Sequence, residues 1–436
     1  MQEHQSAIVT DQTLRHFLFL QGPHGPFFSQ LAKMLQRTGA KTSRIGFNAG
    51  DRAFWRDKGS FTAFQNPHAD WPAFLEDYVE SEKVTDIVLY GDVRPIHAEA
   101  LAMARTKGIR AHTFEEGYLR PYRVTYERGG TNGHSRLMRM SVAEMSAKLD
   151  QSDADTETPP AHWGDMRQHI FYSAIYHWFL LAFRGRYGNY QGHRKQPLSV
   201  ETLAYTKRLV LMPFFAVDRW QATQRIRMGG YPYHLALLQL EHDASFQAHS
   251  TLKDNEEFID IVMQGFAEGA PAHHHLVFKA HPLEAERVPL KQVIRNLSAK
   301  HSIKDRVHYV RGGKLAQILD HAKSAVTVNS TSAQQALWRG MPLKTFGTSV
   351  YAKPEFTSQQ PLAEFFNQPS APNLDGYKAY RKYLLSTCQV PGGYYSRKGR
   401  RQLLREVVDM MLSATDPYDA LRQSDDTPRH PLRVAK

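Results

Sequence analysis

Short apolar segments alternate with helix-like segments along the chain, and this pattern limits the possible folds more than any other feature. The runs "HFLFLQGP", "KTSRIGFNAGD", "VTDIVLYGD" and "IRAHTFEEG" contain short apolar stretches and finish on glycine, proline or an acidic residue. Between them, "PFFSQLAKMLQRTGA" and "PIHAEALAMARTKG" show helical spacing of their apolar residues. Alternation of this kind predicts a parallel sheet with helices on both faces.

A second series of the same kind begins near residue 205. We therefore predict an α/β protein with two Rossmann-like, doubly wound domains that face each other across a cleft, a GT-B-like arrangement. The domains are expected at 1–150 and 205–355, with a proline-broken linker and an aromatic, basic helical insertion at 151–204. C-terminal helices should fill 356–420, and the polar segment 421–436 is predicted to be disordered. The run "LMPFFAVDRWQ", 211–221, is predicted to contain the first strand of the second domain, ending at Asp218.

Composition narrows the range of partners and cofactors. The formal net charge of +12 favours an anionic partner, but the basic residues are scattered and no nucleic-acid-reading motif is present, so we expect no nucleic acid partner. The 22 histidines form no HExxH motif and there is one cysteine, so no metal and no disulfide framework is expected. No other cofactor is expected either. The N-terminal segment lacks the features of a signal peptide and no run is apolar enough to span a membrane, which favours the cytoplasm.

Polar residues follow the predicted strands of the first domain, where ligands bind in sheets of this type. Glu115 and Glu116 are adjacent carboxylates, and their repulsion would raise one pKa and suit that group to proton transfer. An arginine fork matches a carboxylated substrate, although an Asp–Arg–His cluster is also a common structural ion pair. The candidate substrate-binding residues are Gly22, Asp92, Arg94, His97, Tyr118 and Arg120.

The second domain carries a different set of candidates. "FKAHPLE" places Lys279 and His281 two residues apart before Pro282, which suits phosphate binding, although a solvated lysine at a strand end is the simpler interpretation. "VTVNSTSAQQALWRG" ends a strand and opens a helix, so Asn329, Ser330 and Thr331 offer either a phosphate site or an ordinary helix cap. Asp218 is a candidate nucleophile or base, or simply a loop acid.

With these motifs in order, the chain resembles the KpsS-type capsule polysaccharide biosynthesis and export proteins, which are retaining β-Kdo transferases. The resemblance runs from "FLFLQGPHGPFF" through "FEEGYLRPYRVTYERGGTNGHS" and "FKAHPLE" to "VNSTSAQQALWRGMPLKTFG" and "CQVPGGYY". It implies transfer of Kdo from CMP-Kdo, with retention, to a phosphatidylglycerol-type lipid that starts the capsular polysaccharide linker. The alternative is a non-catalytic factor for capsule export or assembly.

The resemblance also implies roles for the candidates. Asp218 would be the nucleophile and one of Glu115 and Glu116 the acid/base. The residues at 279–282 and 329–331 would bind the CMP moiety in the second domain, with the acceptor on the side of the first. Other capsule assembly proteins are further expected partners.

A lipid acceptor implies a peripheral position on the inner leaflet of the membrane. The segment 169–195 is the candidate contact, because it combines aromatic side chains with basic residues near its end. Its aromatic members are Phe171, Tyr172, Tyr176, Trp178 and Phe179, and its basic members are Arg184, Arg186, Arg194 and Lys195. A core helix that links the two domains is the competing interpretation.

Overall fold

The protein contains two separate sheets with helices packed on them. A computed structural model describes residues 14–149, 166–190, 198–240, 244–281, 289–311 and 313–420. The strands are β1 His16–Phe19, β2 Lys41–Gly46, β3 Phe61–Ala63, β4 Asp86–Tyr90, β5 Arg110–Glu116, β6 Arg123–Arg128, β7 Tyr233–Leu237, β8 His275–Ala280, β9 Val307–Arg311, β10 Ala322–Thr327, β11 Leu343–Thr345 and β12 Gln389–Pro391.

The helices lie between the strands and after them. They are α1 Phe27–Gln36, α2 Ala49–Ala53, α3 Trp71–Ser81, α4 Pro95–Lys107, α5 Val142–Lys148, α6 Met166–Ala182, α7 Leu198–Arg227, α8 Ala244–Ala248, α9 Asn255–Gly269, α10 Leu290–Lys300, α11 Leu315–Leu319, α12 Gln334–Trp338, α13 Leu362–Asn367, α14 Leu374–Thr387, α15 Arg397–Leu412 and α16 Pro417–Ala420.

The first sheet has the order β12-β6-β5-β4-β1-β2-β3, in which β3, β2, β1, β4 and β5 run parallel, and β6 pairs antiparallel both with β5 and with the edge strand β12. Alternate residues of β1 face opposite cores: Phe17 and Phe19 pack with α1 and α15, whereas Leu18 packs with α3 and α4. This sheet is therefore covered on both faces, as the sequence pattern predicts.

The second sheet is fully parallel, in the order β11-β10-β7-β8-β9. Leu235 and Leu237 of β7 face the core that includes α11 and α12, whereas Ala236 faces the core of α9 and α10. The prediction of an α/β fold with two doubly wound units is confirmed.

The prediction that residues 211–221 contain the first strand of the second domain is wrong. Residues 211–221 lie within α7, and the first strand of the second sheet is β7. A short apolar run cannot be assigned to strand or helix by its periodicity alone. Here the run belongs to the longer segment Leu198–Arg227, which forms one helix although Pro213 lies within it.

The two units share a core. Tyr118, Leu137 and Met145 of the first unit pack in the same cluster as Tyr377 and Leu337. The chain also returns to the first sheet near its end, because β12 pairs with β6 and α15 packs on α1. In the described part of the chain, no helix is both long and apolar enough to cross a bilayer.

Candidate functional site

The two glutamates end β5 and point to opposite faces of the sheet, because side chains alternate along a strand. Glu116 accepts hydrogen bonds from the hydroxyls of Tyr90 (3.1 Å) and Tyr395 (3.3 Å). Burial, with the charge of Glu116 as the second cause, raises the pKa of both tyrosines well above the ordinary value, so both hydroxyls stay protonated and act as donors. Glu115 lies instead against Gly91, and its Oε1 accepts from the backbone N–H of Glu116 (2.9 Å).

A polar network fills the ends of β1 and β2. Asp51 is fully buried and accepts hydrogen bonds from Arg44 Nη2 (2.9 Å) and Tyr176 Oη (3.2 Å). Gln21 donates to the Tyr176 hydroxyl (3.0 Å), and its Oε1 accepts from Arg94 Nη1 (2.8 Å). Arg94 is half-buried, and this hydrogen bond holds its guanidinium against Gln21.

The cluster predicted from Asp92, Arg94 and His97 is divided among different partners. Asp92 Oδ2 accepts from Thr131 N (2.8 Å) and His134 Nδ1 (3.0 Å). His97 is buried with its Nδ1 on the Gly91 carbonyl, and burial lowers its pKa to about 3, so it is neutral. These residues share a turn but do not form an ion-pair triad.

Three further first-unit candidates are placed as follows. Gly22 provides room for Phe28, because a Cβ at this position would lie 2.5 Å from the Phe28 ring. Tyr118 is fully buried, and its hydroxyl donates to Glu127 (2.7 Å). Arg120 is exposed and donates from Nε to the Gly117 carbonyl (3.2 Å). Gly22 and Tyr118 therefore hold the framework behind the strand ends.

Lys279 lies at the end of β8 with 5% of its surface exposed. No carboxylate of the described residues is within salt-bridge distance of it, and its Nζ lies 3.5 Å from the Ala280 carbonyl. Burial, followed by the positive charge of Arg219, lowers its pKa to about 8. A buried ammonium with the half-buried guanidinium of Arg219 acting on it forms a site that suits an anion.

The turn after β10 is held by side-chain hydrogen bonds. Asn329 Oδ1 accepts from Gln239 (2.8 Å), and its Nδ2 donates to the His249 carbonyl (3.3 Å). The Ser330 hydroxyl pairs with that of Ser332 (2.8 Å) instead of capping a backbone N–H. Thr331 opens a single 3-10 turn before the five-residue α12, so the helix dipole available to an anion here is smaller than the sequence suggested.

The remaining second-unit candidates are His281, Pro282 and Asp218, and a histidine pair lies where the two units meet. His281 is half-buried one residue beyond β8, whereas Pro282 lies outside the described residues. Asp218 lies inside α7 and not at a strand end, and its side chain is also outside what the structure describes. The His249 ring stands perpendicular to that of His134 at 5.4 Å, which joins the turn after β10 to the loop after β6.

The sequence reasoning missed four residues of this region: Arg219, Glu127, His134 and His249. Arg219 directly follows Asp218, but a helix was needed to bring it to Lys279. His134 lies in "GGTNGHS", where paired glycines signal a tight loop that could have drawn attention to it. No local signal marks Glu127 or His249, because their neighbours are distant in the chain.

Comparison with known proteins gives matches over most of the chain. Residues 85–395 match the model of a family described as "Capsule polysaccharide biosynthesis protein". The chain is 31% identical over 386 residues to the capsule polysaccharide export protein KpsS of Escherichia coli, and the alignment covers 87% of this chain and 97% of that protein. It is 33% identical over 397 residues to the capsule polysaccharide modification protein LipB of Neisseria meningitidis, covering 88% and 93%. Among solved structures, the β-Kdo 2,7 transferase of Thermosulfurimonas dismutans KpsC aligns over 91% of this chain and 100% of its own, with 12% identity and a TM-score of 0.41.

Proposed function

Because the chain belongs to the capsule polysaccharide biosynthesis protein family, we propose that it is a glycosyltransferase of capsule assembly. Its donor is CMP-Kdo, its acceptor is a phosphatidylglycerol-type lipid, and the sugar is transferred with retention to start the capsular polysaccharide linker. The observation that carries the proposal is the buried ammonium of Lys279, on which the charge of the half-buried Arg219 acts, because such a position is suited to the phosphate of a nucleotide-sugar. His281, Pro282 and the turn of Asn329, Ser330 and Thr331 complete the donor site.

The reaction needs two carboxyl groups, because retention takes two displacements at the anomeric carbon. Asp218 is the nucleophile, and its position one residue before Arg219 supports this role, since the charge of Arg219 acts on Lys279. Glu115 or Glu116 is the acid/base.

The sugar's carboxylate is bound by Arg94. Its guanidinium is half-buried and directed by Gln21, whereas Arg120 is exposed and engaged with the backbone of its own turn. A pre-oriented fork loses less rotational freedom when it binds a carboxylate. Asp92 lies on the adjacent turn, and Gly22, His97 and Tyr118 support the site from behind.

The acceptor lipid is reached through an exposed apolar surface on α6 and α7, which we name the hairpin face. It consists of Phe171, Trp178, Phe183, Val200, Leu203, Val210, Phe214 and Val217. The indole of Trp178 donates to Thr206 Oγ1 (3.2 Å), so the apolar stripes of the two helices adjoin. Exposed basic side chains surround this surface, among them Arg184, Arg186 and Lys207. Apolar residues flanked by cations are typical of proteins that lie on anionic membranes.

The direct test is incubation of the purified protein with CMP-Kdo and a fluorescent phosphatidylglycerol analogue. We expect CMP release and a lipid product heavier by one Kdo residue. Asp218→Ala should abolish the product, and Lys300→Ala, on the outer surface, should not. Tight CMP and lipid binding without product would instead favour the non-catalytic export or assembly role.

A further inference from the structure

His134 is held by a buried carboxylate. Asp92 is 1% exposed, and its Oδ2 lies 3.0 Å from His134 Nδ1. A carboxylate only accepts, so His134 carries its proton on Nδ1 and keeps the lone pair of Nε2 free to take another. The His134 side chain is 49% exposed, so this nitrogen can be reached from solvent or by a substrate.

The position of His134 links the two halves of the proposed site. Its ring lies against His249, whose carbonyl accepts from Asn329 in the proposed donor turn. On the other side, Asp92 directly follows Gly91, against which Glu115 lies. His134 therefore stands between the acidic end of β5 and the turn after β10.

We propose that His134 takes the acceptor's proton as general base in the second displacement, which leaves the glutamate at the end of β5 to act on the donor in the first, and that Asp92 is the positioning residue of His134; this inference rests on the proposed glycosyl transfer. The acceptor oxygen forms a bond to the anomeric carbon, and the bond from that carbon to the Asp218 carboxylate breaks, with its electron pair returning to Asp218. The acceptor's hydroxyl proton passes to His134 Nε2. The Asp92 carboxylate stabilises the imidazolium that results, and the proton is then lost to solvent.

Two other titratable groups lie near this pair. His249 faces His134 from the second unit, and its pKa is lowered first by burial. Glu127 receives a hydrogen bond from Ser135, the residue after His134. Burial raises the pKa of Glu127 to about 7, and the charge of Asp92 adds to this rise.

The experiment compares His134→Ala, His134→Gln and Asp92→Asn in transfer from CMP-Kdo to the phosphatidylglycerol analogue. His134→Gln keeps a donor for Asp92 but cannot take a proton, so it separates catalysis from folding. We expect kcat to fall roughly 100-fold or more in both His134 variants, with unchanged affinity for CMP, and added imidazole to restore part of the turnover of His134→Ala. In Asp92→Asn we expect kcat to fall while the affinity for CMP stays unchanged, because His134 loses the carboxylate that orients its Nδ1–H.

The chain offers a matched control. His301 pairs with Asp260 at 2.6 Å, near the end of α10, so His301→Ala removes an Asp–His pair outside the site. It should transfer Kdo at the wild-type rate. Normal turnover in His134→Gln, or a kcat of Asp92→Asn equal to that of the wild type, overturns the role of the pair while transfer by the wild type stands. A wild type that transfers no Kdo overturns the proposed function and this role together.

Discussion

Lys279 keeps an ammonium group in a position that is almost closed to water, and this is costly unless an anion is present. The pKa of Lys279 is lowered to about 8, because burial and the charge of Arg219 both disfavour the protonated form. A phosphate beside the ammonium reverses the balance and raises the pKa again. Binding should therefore take up protons near pH 8.

The affinity for CMP should fall as pH rises through 8, because the free protein then loses the charge on Lys279. Calorimetry on either side of this pH, in two buffers of different ionisation enthalpy, measures the affinity and the proton uptake. Lys279→Met should lower the affinity roughly tenfold or more and remove the pH dependence. Lys300→Met, at an exposed salt bridge, is the control, and equal loss in both variants would contradict the site.

Glu127 is a buried carboxyl whose pKa is raised to about 7, chiefly by burial, even though Ser135 and Tyr118 donate hydrogen bonds to it. The folded protein therefore holds this proton at a pH where the unfolded chain, with an ordinary value of 4.5, has released it. Stability should consequently decline as pH rises from 4.5 to 7 and then level off.

The size of that decline should reach about 3 kcal/mol of unfolding free energy. The side chain of the Glu127→Gln variant cannot ionise, so the stability of this variant should not show the decline between pH 4.5 and 7. Urea unfolding across the pH range measures the difference between variant and wild type, and the exposed Asp77→Asn should follow the wild-type curve. Parallel curves for Glu127→Gln and wild type would show that Glu127 does not titrate in this range.

Helix α7 exposes apolar side chains on one side over most of its length. Val200, Leu203, Val210, Phe214 and Val217 recur every three, four or seven residues, and Phe214 is 71% exposed. The stripe covers about 26 Å at a rise of ~1.5 Å per residue. Trp178 of α6 widens it beyond a single helix, which suits a flat surface better than one partner helix.

Truncation of Val210, Phe214 and Val217 to alanine should weaken binding to vesicles that contain phosphatidylglycerol by roughly tenfold or more. Alanine favours helix, so α7 should stay intact. Cosedimentation at low salt, with Leu14→Ala as an exposed apolar control, measures the effect. If the triple variant binds like wild type but changes its oligomeric state, the hairpin face is a contact between copies of the chain.

Tyr176 and Tyr172 do not belong to this surface, although both lie in the segment expected to meet the membrane. Tyr176 is buried and donates to Asp51, and Tyr172 packs beside Arg400. The aromatic residues of α6 thus have two different roles. One side fixes the helix on the first unit, and the other contributes to the hairpin face.

At the scale of the molecule, the two units share a common core, and a lysine adds hydrogen bonds between them. Lys353 of the second unit donates from Nζ to the carbonyls of Leu137 (3.1 Å) and Met140 (2.6 Å) in the first. These bonds fix the loop before α5 onto the second unit. Because the ammonium is buried, removing it leaves two carbonyls without their donor.

Lys353→Met should lower the unfolding free energy by about 1–3 kcal/mol and split thermal unfolding into two transitions. Lys344 offers a matched control, because its Nζ donates to the carbonyl of Gln360 (2.6 Å) within the second unit. Lys344→Met should destabilise the protein but keep a single transition in calorimetry. Identical thermograms for the two variants would mean that Lys353 does not couple the units.

The sequence by itself determined the strands of the first sheet and the polar residues at their ends. β1, β2, β4 and β5 lie where the apolar runs predict them, and Glu115 and Glu116 end β5. These features are local, since a buried parallel strand needs a short apolar run and its end needs turn-forming residues. The alternation of such units was enough to predict the fold class.

Only the tertiary structure decided which distant residues meet. The run around Asp218 is compatible with strand or helix, and packing of α7 on α6 and the second unit selects the helix. Asp92 and His134 are 42 residues apart, and β12 joins β6 from the far end of the chain. Such contacts depend on the path of the whole backbone, because hydrogen bonding and burial act between neighbours in space and leave no period in the sequence.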